Sequence, residues 1–265
     1  MKNEFRHFLI TRFSMGVKSG FPEQNSRIEW MKRRIEIFEK ITLPSVLAQK
    51  EKNFTWLVLF DPSVKDEHSD FIQKLENISF CIPVYSEDGL LPTIKNKISE
   101  TTPADIRHII TTRLDNDDAI HQDYIKDLQS NFTPNQNYII NFSEGFSYSD
   151  EMASIFNRNM TMFASFFECL DNGELQTVYC APHPALRKVA PVKHIHSKPM
   201  YIYYHHSINV SGNKLNLTPK SKLILDFIAH FLCKKIPLLN KYLRYSYRIQ
   251  ISKDHPQLAL FNTRL

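Results

Sequence analysis

Glycine is scarce in this chain, at six residues in 265. Neither a Walker A loop nor a G-x-G-x-x-G turn is present, which excludes the common glycine-cradled phosphate sites. The four cysteines (Cys81, Cys169, Cys180, Cys233) are scattered with no C-x-x-C pair. They fit neither a zinc site nor a small disulfide framework, so a reducing cytoplasm is the expected compartment. No stretch approaches the roughly 18 apolar residues of a membrane span. The opening "MKNEFRHFLITRFSMG" lacks the long apolar core of a signal peptide, because "FLI" is broken by Thr11 and Arg12. Internal repeats and low-complexity linkers are also missing. With 42% apolar and 23% charged residues, the chain reads as a soluble globular protein long enough for one substantial core.

Hydrophobic patterning supplies an alternating α/β layout in the first half. "HFLITRF" (7–13), "FTWLVLFD" (54–61), "SFCIPVYS" (79–86) and "IRHIITTRLD" (107–115) read as short buried strands. Between them, Trp30, Ile35, Phe38, Ile41 and Leu43 recur near helical spacing, and Pro44 opens a second short helix. "DEHSDFIQKLENI" and "LLPTIKNKISETT" are further helical segments. Strands alternating with helices predict a Rossmann-like, mostly parallel sheet flanked by helices. Ligands bind such sheets at the carboxyl ends of the strands. Thr11, Arg12, Asp61, Ser86 and Arg113 to Asp118 are therefore expected on one rim. Beyond residue 138 the pattern loosens: "NYIINFSEGF", "MFASFFE" and "MYIYYHHSINVSG" look like strands and "HPALRKVA" a short helix.

That rim carries an unusual stretch. "TTRLDNDDAIHQDYI" (111–125) packs four carboxylates directly behind an apolar strand. Carboxylates this close repel unless a cation, a basic side chain or solvent intervenes. Asp-x-Asp on a turn leaving a strand suits a hard cation such as Mg²⁺ or Mn²⁺, which completes its shell with water and phosphate oxygens. A solvated acidic turn is the alternative, with Asp117 or Asp118 capping a helix over "AIHQDYIKDL".

The residues "FLITRFS" (8–14), Trp30 with Arg33 and Phe38, "LPSVLAQ" (43–49), "FTWLVLFD", "TTRLDNDDAI" (111–120) and "PMYIYYHHSINVSG" (199–212) carry a resemblance. Over roughly residues 5–213 the chain resembles the bacterial "putative rhamnosyltransferase" family, within the nucleotide-sugar glycosyltransferases of the A-type fold. The resemblance implies metal-assisted, inverting sugar transfer from a nucleoside-diphosphate donor, UDP- or dTDP-linked, with Mn²⁺ or Mg²⁺ as cofactor. It implies a glycosyltransferase domain over 1–213, with a nucleotide-sugar-binding half about 1–120 and an acceptor half about 121–213. Carried onto this chain, Asp115 would touch the donor ribose or the metal, and Asp117 would ligate the metal. Thr11, Arg12 and Phe13 stand where the fold holds the base, Asp61 where an acidic residue reads it, and Lys95 and Arg113 would face phosphate. His205 and His206 follow a late strand where a third metal ligand is often supplied. Alternation lets only one of them face the site, and His206 is selected. An inverting transferase also needs a carboxylate to deprotonate the acceptor. Glu168, at the end of an apolar strand, is the first choice, then Asp171; His183 is a candidate for acceptor binding. The Glu-Asp pair that opens a helix in many inverting enzymes is not found.

Residues 214–265 differ in character. Within 217–249, Leu223, Ile224, Phe227, Ile228, Phe231 and Leu232 form an apolar stripe among seven Lys and Arg residues and the single acid Asp226. Such a basic amphipathic segment, over 217–249, fits either peripheral contact with the anionic inner face of the cytoplasmic membrane or packing on the core. The net charge of +5 is too small and too localised to indicate nucleic acid. A growing bacterial surface glycan or lipid-linked acceptor fits this placement. The rivals are a nucleotidyl- or phosphotransferase using the same acids, and a non-catalytic sugar- or nucleotide-binding module. The sugar, rhamnose or another hexose or furanose, is not legible in these residues.

Overall fold

The computed structural model describes residues 4–16, 24–149, 153–157, 159–206, 248–251 and 256–263. The first half runs β1 (Arg6–Arg12), α1 (Gln24–Ile37), α2 (Leu43–Leu47), β2 (Thr55–Phe60), α3 (Val64–Glu67), α4 (Ser69–Glu76), β3 (Cys81–Tyr85), α5 (Leu90–Thr101) and β4 (His108–Arg113). The second half runs β5 (Ala119–Ile120), α6 (Tyr124–Gln129), β6 (Tyr138–Phe142), β7 (Glu144–Tyr148), β8 (Ala153–Asn157), β9 (Ser165–Cys169), β10 (Val192–Ile195), β11 (Tyr201–Tyr204) and β12 (Arg248–Ile251).

A seven-stranded central sheet has the order β10-β6-β9-β4-β1-β2-β3. Its first four strands in sequence are mutually parallel, as the alternation with helices requires. β9 alone runs against its neighbours β4 and β6. Alternation along β1 sends side chains to opposite layers. Phe8 and Ile10 join Leu57, Leu59 and Ile109 under Ile94 and Ile98 of α5. Leu9 joins Trp56, Val58, Phe60 and Ile110 on the other side, with Phe38, Phe71, Leu75, Tyr124 and Leu128. Helices thus cover both faces, which is why the strands read as nearly unbroken apolar runs. The fold class expected from the sequence is the one observed, a mixed α/β layer structure with a mostly parallel sheet.

A second sheet, β12-β8-β7-β11-β5, is new to the structure. "NYIINFSEGF" is not one strand but two: it breaks at Ser143, leaving β6 in the central sheet and starting β7 in the second. The helix expected over "AIHQDYIKDL" starts only at Tyr124. Ala119 and Ile120 are instead a short strand, paired antiparallel with Ile202 and Tyr201 of β11. Pro44 does not break the first helix, which continues through a π turn (Phe38–Thr42) into α2 with Pro44 in the opening turn.

Most of the basic segment 217–249 lies outside the described residues. Those described beyond it join the body of the protein. β12 pairs antiparallel with β8, and Leu258 and Phe261 share an apolar cluster with Ile41, Phe146 and Ile202. Among the described residues, no helix is long and apolar enough to cross a membrane.

Candidate active site

The parallel register brings the carboxyl ends of β1 to β4 level. Ile10 stands beside Arg113, Arg12 beside Leu59, and Phe60 beside Tyr85. Past the strand ends, the Leu114 N–H donates to Ile10 O at 3.0 Å, and Asn116 Nδ2 donates to Phe13 O at 3.1 Å. These bonds fix the acidic turn against the end of β1. β5 follows at once, so the turn sits at the seam between the two sheets.

Each acid of the turn has its own solution to the repulsion. Asp115 is gripped by Arg113, whose Nε and Nη2 donate to its two carboxylate oxygens at 3.0 and 3.2 Å. The Arg113 guanidinium in turn lies 5.4 Å from the centroid of the Tyr179 ring. Asp117 Oδ2 accepts from Arg34 Nη1 at 2.5 Å and from His206 Nε2 at 2.9 Å. Burial opposes ionisation of Asp117, but the His206 hydrogen bond and the Arg34 charge outweigh it and hold the carboxyl below its usual range. Asp118 is fully buried; its Oδ1 accepts the Tyr204 N–H at 3.0 Å, and Oδ2 has no partner among the described residues. Burial, with the charges of Asp117 and Asp115 nearby, pushes its carboxyl well above the ordinary range. Its hydrogen bond from the Tyr204 N–H ties β11 to the turn. Asp123, just before α6, is held down to about 2 by hydrogen bonds from Lys198 and Lys50 and has no place in the site. The turn is thus neither a solvated cap nor a bare cluster of charge. Two guanidinium groups and one imidazole meet its carboxylates.

Arg34 is the residue that sequence reasoning missed. It shares a buried helical stripe with Met31, Phe38 and Ile41, and its side chain is 5% exposed. The only signal was a charged residue at a core-facing position, beside an exposed Arg33.

The other expected residues divide into two groups. Arg12 is exposed on the rim, and Asp61 is half-buried there, its N–H donating to Ser14 Oγ at 3.0 Å. Arg113, Asp115, Asp117 and His206 come together as described. Thr11 and Phe13, however, face inward. Thr11 Oγ1 accepts from Trp56 Nε1 at 3.0 Å, and Phe13 is buried against Phe38, Phe60 and Phe71. Neither offers a surface to a nucleotide. Lys95 lies on α5, close enough to Glu168 to favour its ionised form. His183 is half-buried at the start of a 3₁₀ turn (His183–Lys188).

Glu168 and Asp171 are not on the rim. Because β9 runs antiparallel, Glu168 stands beside Ile109 at the opposite end of β4, and exposed Asp171 lies 3.9 Å from Arg107 beyond it. Glu168 is a buried anchor for a loop: its oxygens accept the Gln176 and Thr177 N–H groups at 2.6 and 2.9 Å. That loop leads to Tyr179, the ring against Arg113. Burial pushes the Glu168 carboxyl up to about 7, against the pull of these two N–H groups. A carboxyl that holds its proton more tightly in the folded state favours the fold below its ordinary value of 4.5, and this advantage disappears as pH rises through about 7. Relative to Glu168→Gln, the wild type is expected to lose on the order of 2 kcal/mol of unfolding free energy between about pH 5 and about pH 8. Urea denaturation at the two pH values measures this, and a pH-independent gap contradicts it.

Whether the acids fit a divalent ion depends on their partners. A carboxylate oxygen and an imidazole nitrogen, Asp117 Oδ2 and His206 Nε2, are a donor pair that Mn²⁺ accepts. Asp115 is turned to Arg113 instead, and no group of three acidic, His or Cys ligands forms among the described residues. The donor chemistry fits; the place beside it is taken by Arg34.

Compared with known proteins, the sequence matches the family described as "Putative rhamnosyl transferase" over residues 6–217. The chain belongs to this family. The match runs from β1 past His206, so every residue of the acidic turn and its partners lies within it. No curated protein sequence matches the chain. Among solved structures, S. aureus TarS 1–349 in complex with UDP-GlcNAc is 11% identical at a TM-score of 0.46, with 86% of this chain and 66% of that one covered. The family member therefore spans just under two thirds of that TarS chain. A 4-diphosphocytidyl-2C-methyl-D-erythritol synthase from Anaerococcus prevotii is 13% identical (TM-score 0.35; 72% and 86% covered). An inositol-1-phosphate CTP transferase from T. maritima is 9% identical (TM-score 0.34; 76% and 90% covered). Likenesses this distant say nothing of donor or reaction.

Proposed function

We propose that this protein is a glycosyltransferase that moves a sugar, rhamnose or another hexose or furanose, from a UDP- or dTDP-linked donor to a growing bacterial surface glycan. Membership of a sugar-transferring family, with the matched segment containing a charge-balanced acidic turn on the sheet's carboxyl rim, carries this reading. A bare cluster of carboxylates would repel a diphosphate. Here Arg113 pairs with Asp115 and Arg34 with Asp117, while Arg12 stands exposed on the same rim.

In this reading Asp115, fixed by two donors from Arg113, accepts hydrogen bonds from the donor ribose. Asp61 contacts the base, and Arg12 and Arg113 face the diphosphate as its bond to the sugar breaks. Mn²⁺ or Mg²⁺, when bound, would be held by Asp117 and His206 and would offset the charge of the leaving diphosphate. His183 belongs to the acceptor side. Glu168 acts through its loop, by holding Tyr179 under Arg113, and takes no proton from the acceptor. The protein works in the cytoplasm, with residues 217–249 as the segment for peripheral membrane contact.

The released product tests the reaction class. Nucleotide sugars screened with the protein, with and without added divalent ions, should yield a nucleoside diphosphate. Release of sugar 1-phosphate, with the nucleoside monophosphate transferred, would assign a nucleotidyltransferase instead.

A further inference from the structure

Arg34 is placed as few arginines are. It leaves a helix on the buried side, and its guanidinium is enclosed by the acidic turn itself. Nη1 donates to Asp117 Oδ2 and, at 3.2 Å, to Asn116 Oδ1, and it lies 3.5 Å from His206 Nε2. Trp30 covers it, with the ring centroid 5.3 Å from the guanidinium carbon. Asn116 is itself fixed to the backbone of β1 through Phe13 O. The cradle is therefore built from α1, the end of β1, the acidic turn and the residues after β11.

Two cations cannot share this cradle. A guanidinium does not lose its charge in a protein, and a pair this buried is little screened by salt. The oxygen that a divalent ion would take from Asp117 is the one that already accepts from Arg34. An ion arriving there meets a fixed positive charge at hydrogen-bond range and must break a buried ion pair to enter.

We propose that Arg34 is the resident cation of the Asp117–His206 pair, and that a divalent ion reaches this pair only when Arg34 is displaced from it. The ligand suited to draw Arg34 away is a diphosphate, which matches a guanidinium with two parallel hydrogen bonds. That last step rests on the donor reading above; the occupancy of the pair by Arg34 does not. Divalent-ion binding at this site is accordingly weak in the protein alone.

Mn²⁺ binding followed by electron paramagnetic resonance, with no nucleotide present, tests the proposal. Free Mn²⁺ gives a sharp spectrum that is lost on binding, so the readout needs no activity. Arg34→Gln and Arg34→Met, each checked for folding by circular dichroism, are expected to bind Mn²⁺ at least about tenfold more tightly than wild type, because the competing charge is gone. Adding Asp117→Asn to either should abolish the gain. Equal affinity in wild type and both variants overturns the proposal, as does a gain that survives Asp117→Asn. If neither variant folds, wild type decides alone: saturable Mn²⁺ binding that Asp117→Asn removes overturns it, and the lack of such binding supports it. Since no nucleotide takes part, a failure here leaves the proposed sugar transfer standing.

Discussion

Asp117→Ala is expected to destabilise the protein by about 3 kcal/mol, the usual range for breaking a buried ion pair. The loss comes from the partner left behind. Arg34 keeps Asn116 and Trp30 but loses the Asp117 carboxylate, which it holds at 5% side-chain exposure. His206 loses the same acceptor. Transfer from the donor should fall further than stability, by about 10² to 10³, the usual cost of removing one electrostatic group from a reacting centre. Urea denaturation and nucleoside-diphosphate release, measured on the same preparations, separate the two effects. A solvated acidic turn would behave differently: its substitution would change stability by no more than about 0.5 kcal/mol.

Gly145→Ala should be the most disruptive single methyl group in the second sheet. A Cβ at Gly145 would lie 2.1 Å from Tyr201 Cε2 and 2.4 Å from Cδ2 and Cζ. Tyr201 cannot move aside. Its ring stacks on Phe163 at 4.2 Å, meets Phe156 edge-on at 5.6 Å, and its hydroxyl donates to Ser143 O at 3.2 Å. Overpacking of this kind costs typically about 1–3 kcal/mol, and a ring held on several sides puts the expected value at the top of that range. The consequence reaches the site, because Tyr201 begins β11 and that strand delivers Tyr204 to Asp118 and His206 to Asp117. Thermal denaturation should show the loss of stability, and donor turnover should fall in the fraction that still folds. A variant within about 0.5 kcal/mol of wild type would mean that the close approach of β7 to Tyr201 is not required.

The parts of the protein that were legible in its sequence are those governed by short-range rules. Alternation in β1, with Phe8 and Ile10 on one side and Leu9 on the other, follows from the strand repeat alone. Four parallel strands then bring Arg12, Asp61 and Arg113 to one rim. The same alternation chose His206 over His205, and His206 is the one that meets Asp117. The failures share a different cause: they depend on strand direction or on partners far away in the chain. Glu168 does end an apolar strand, but β9 is antiparallel, so that end is the wrong rim. Thr11 and Phe13 sit at the correct end of β1, yet their side chains close over the core, because Trp56 and Phe38 fill the space there. Ala119–Ile120 is too short to show any period, and the second sheet it joins is assembled from segments up to 132 residues apart, from Ala119 to Ile251. Arg34 escaped notice for an energetic reason. A charged side chain on a helix reads as solvated unless a buried acid is known to await it, and Asp117 lies 83 residues further on.

What leaves the donor reports the reaction at this rim most directly. Nucleotide sugars linked to UDP and dTDP should be incubated with wild type, Asp115→Ala and Asp117→Ala, and the released nucleotide identified by chromatography. The expected result is a nucleoside diphosphate from wild type with at least one donor, and strongly reduced release from both variants. Release of sugar 1-phosphate in place of nucleoside diphosphate, or of nucleoside diphosphate at equal rates from all three proteins, would contradict a sugar-transfer site on this rim.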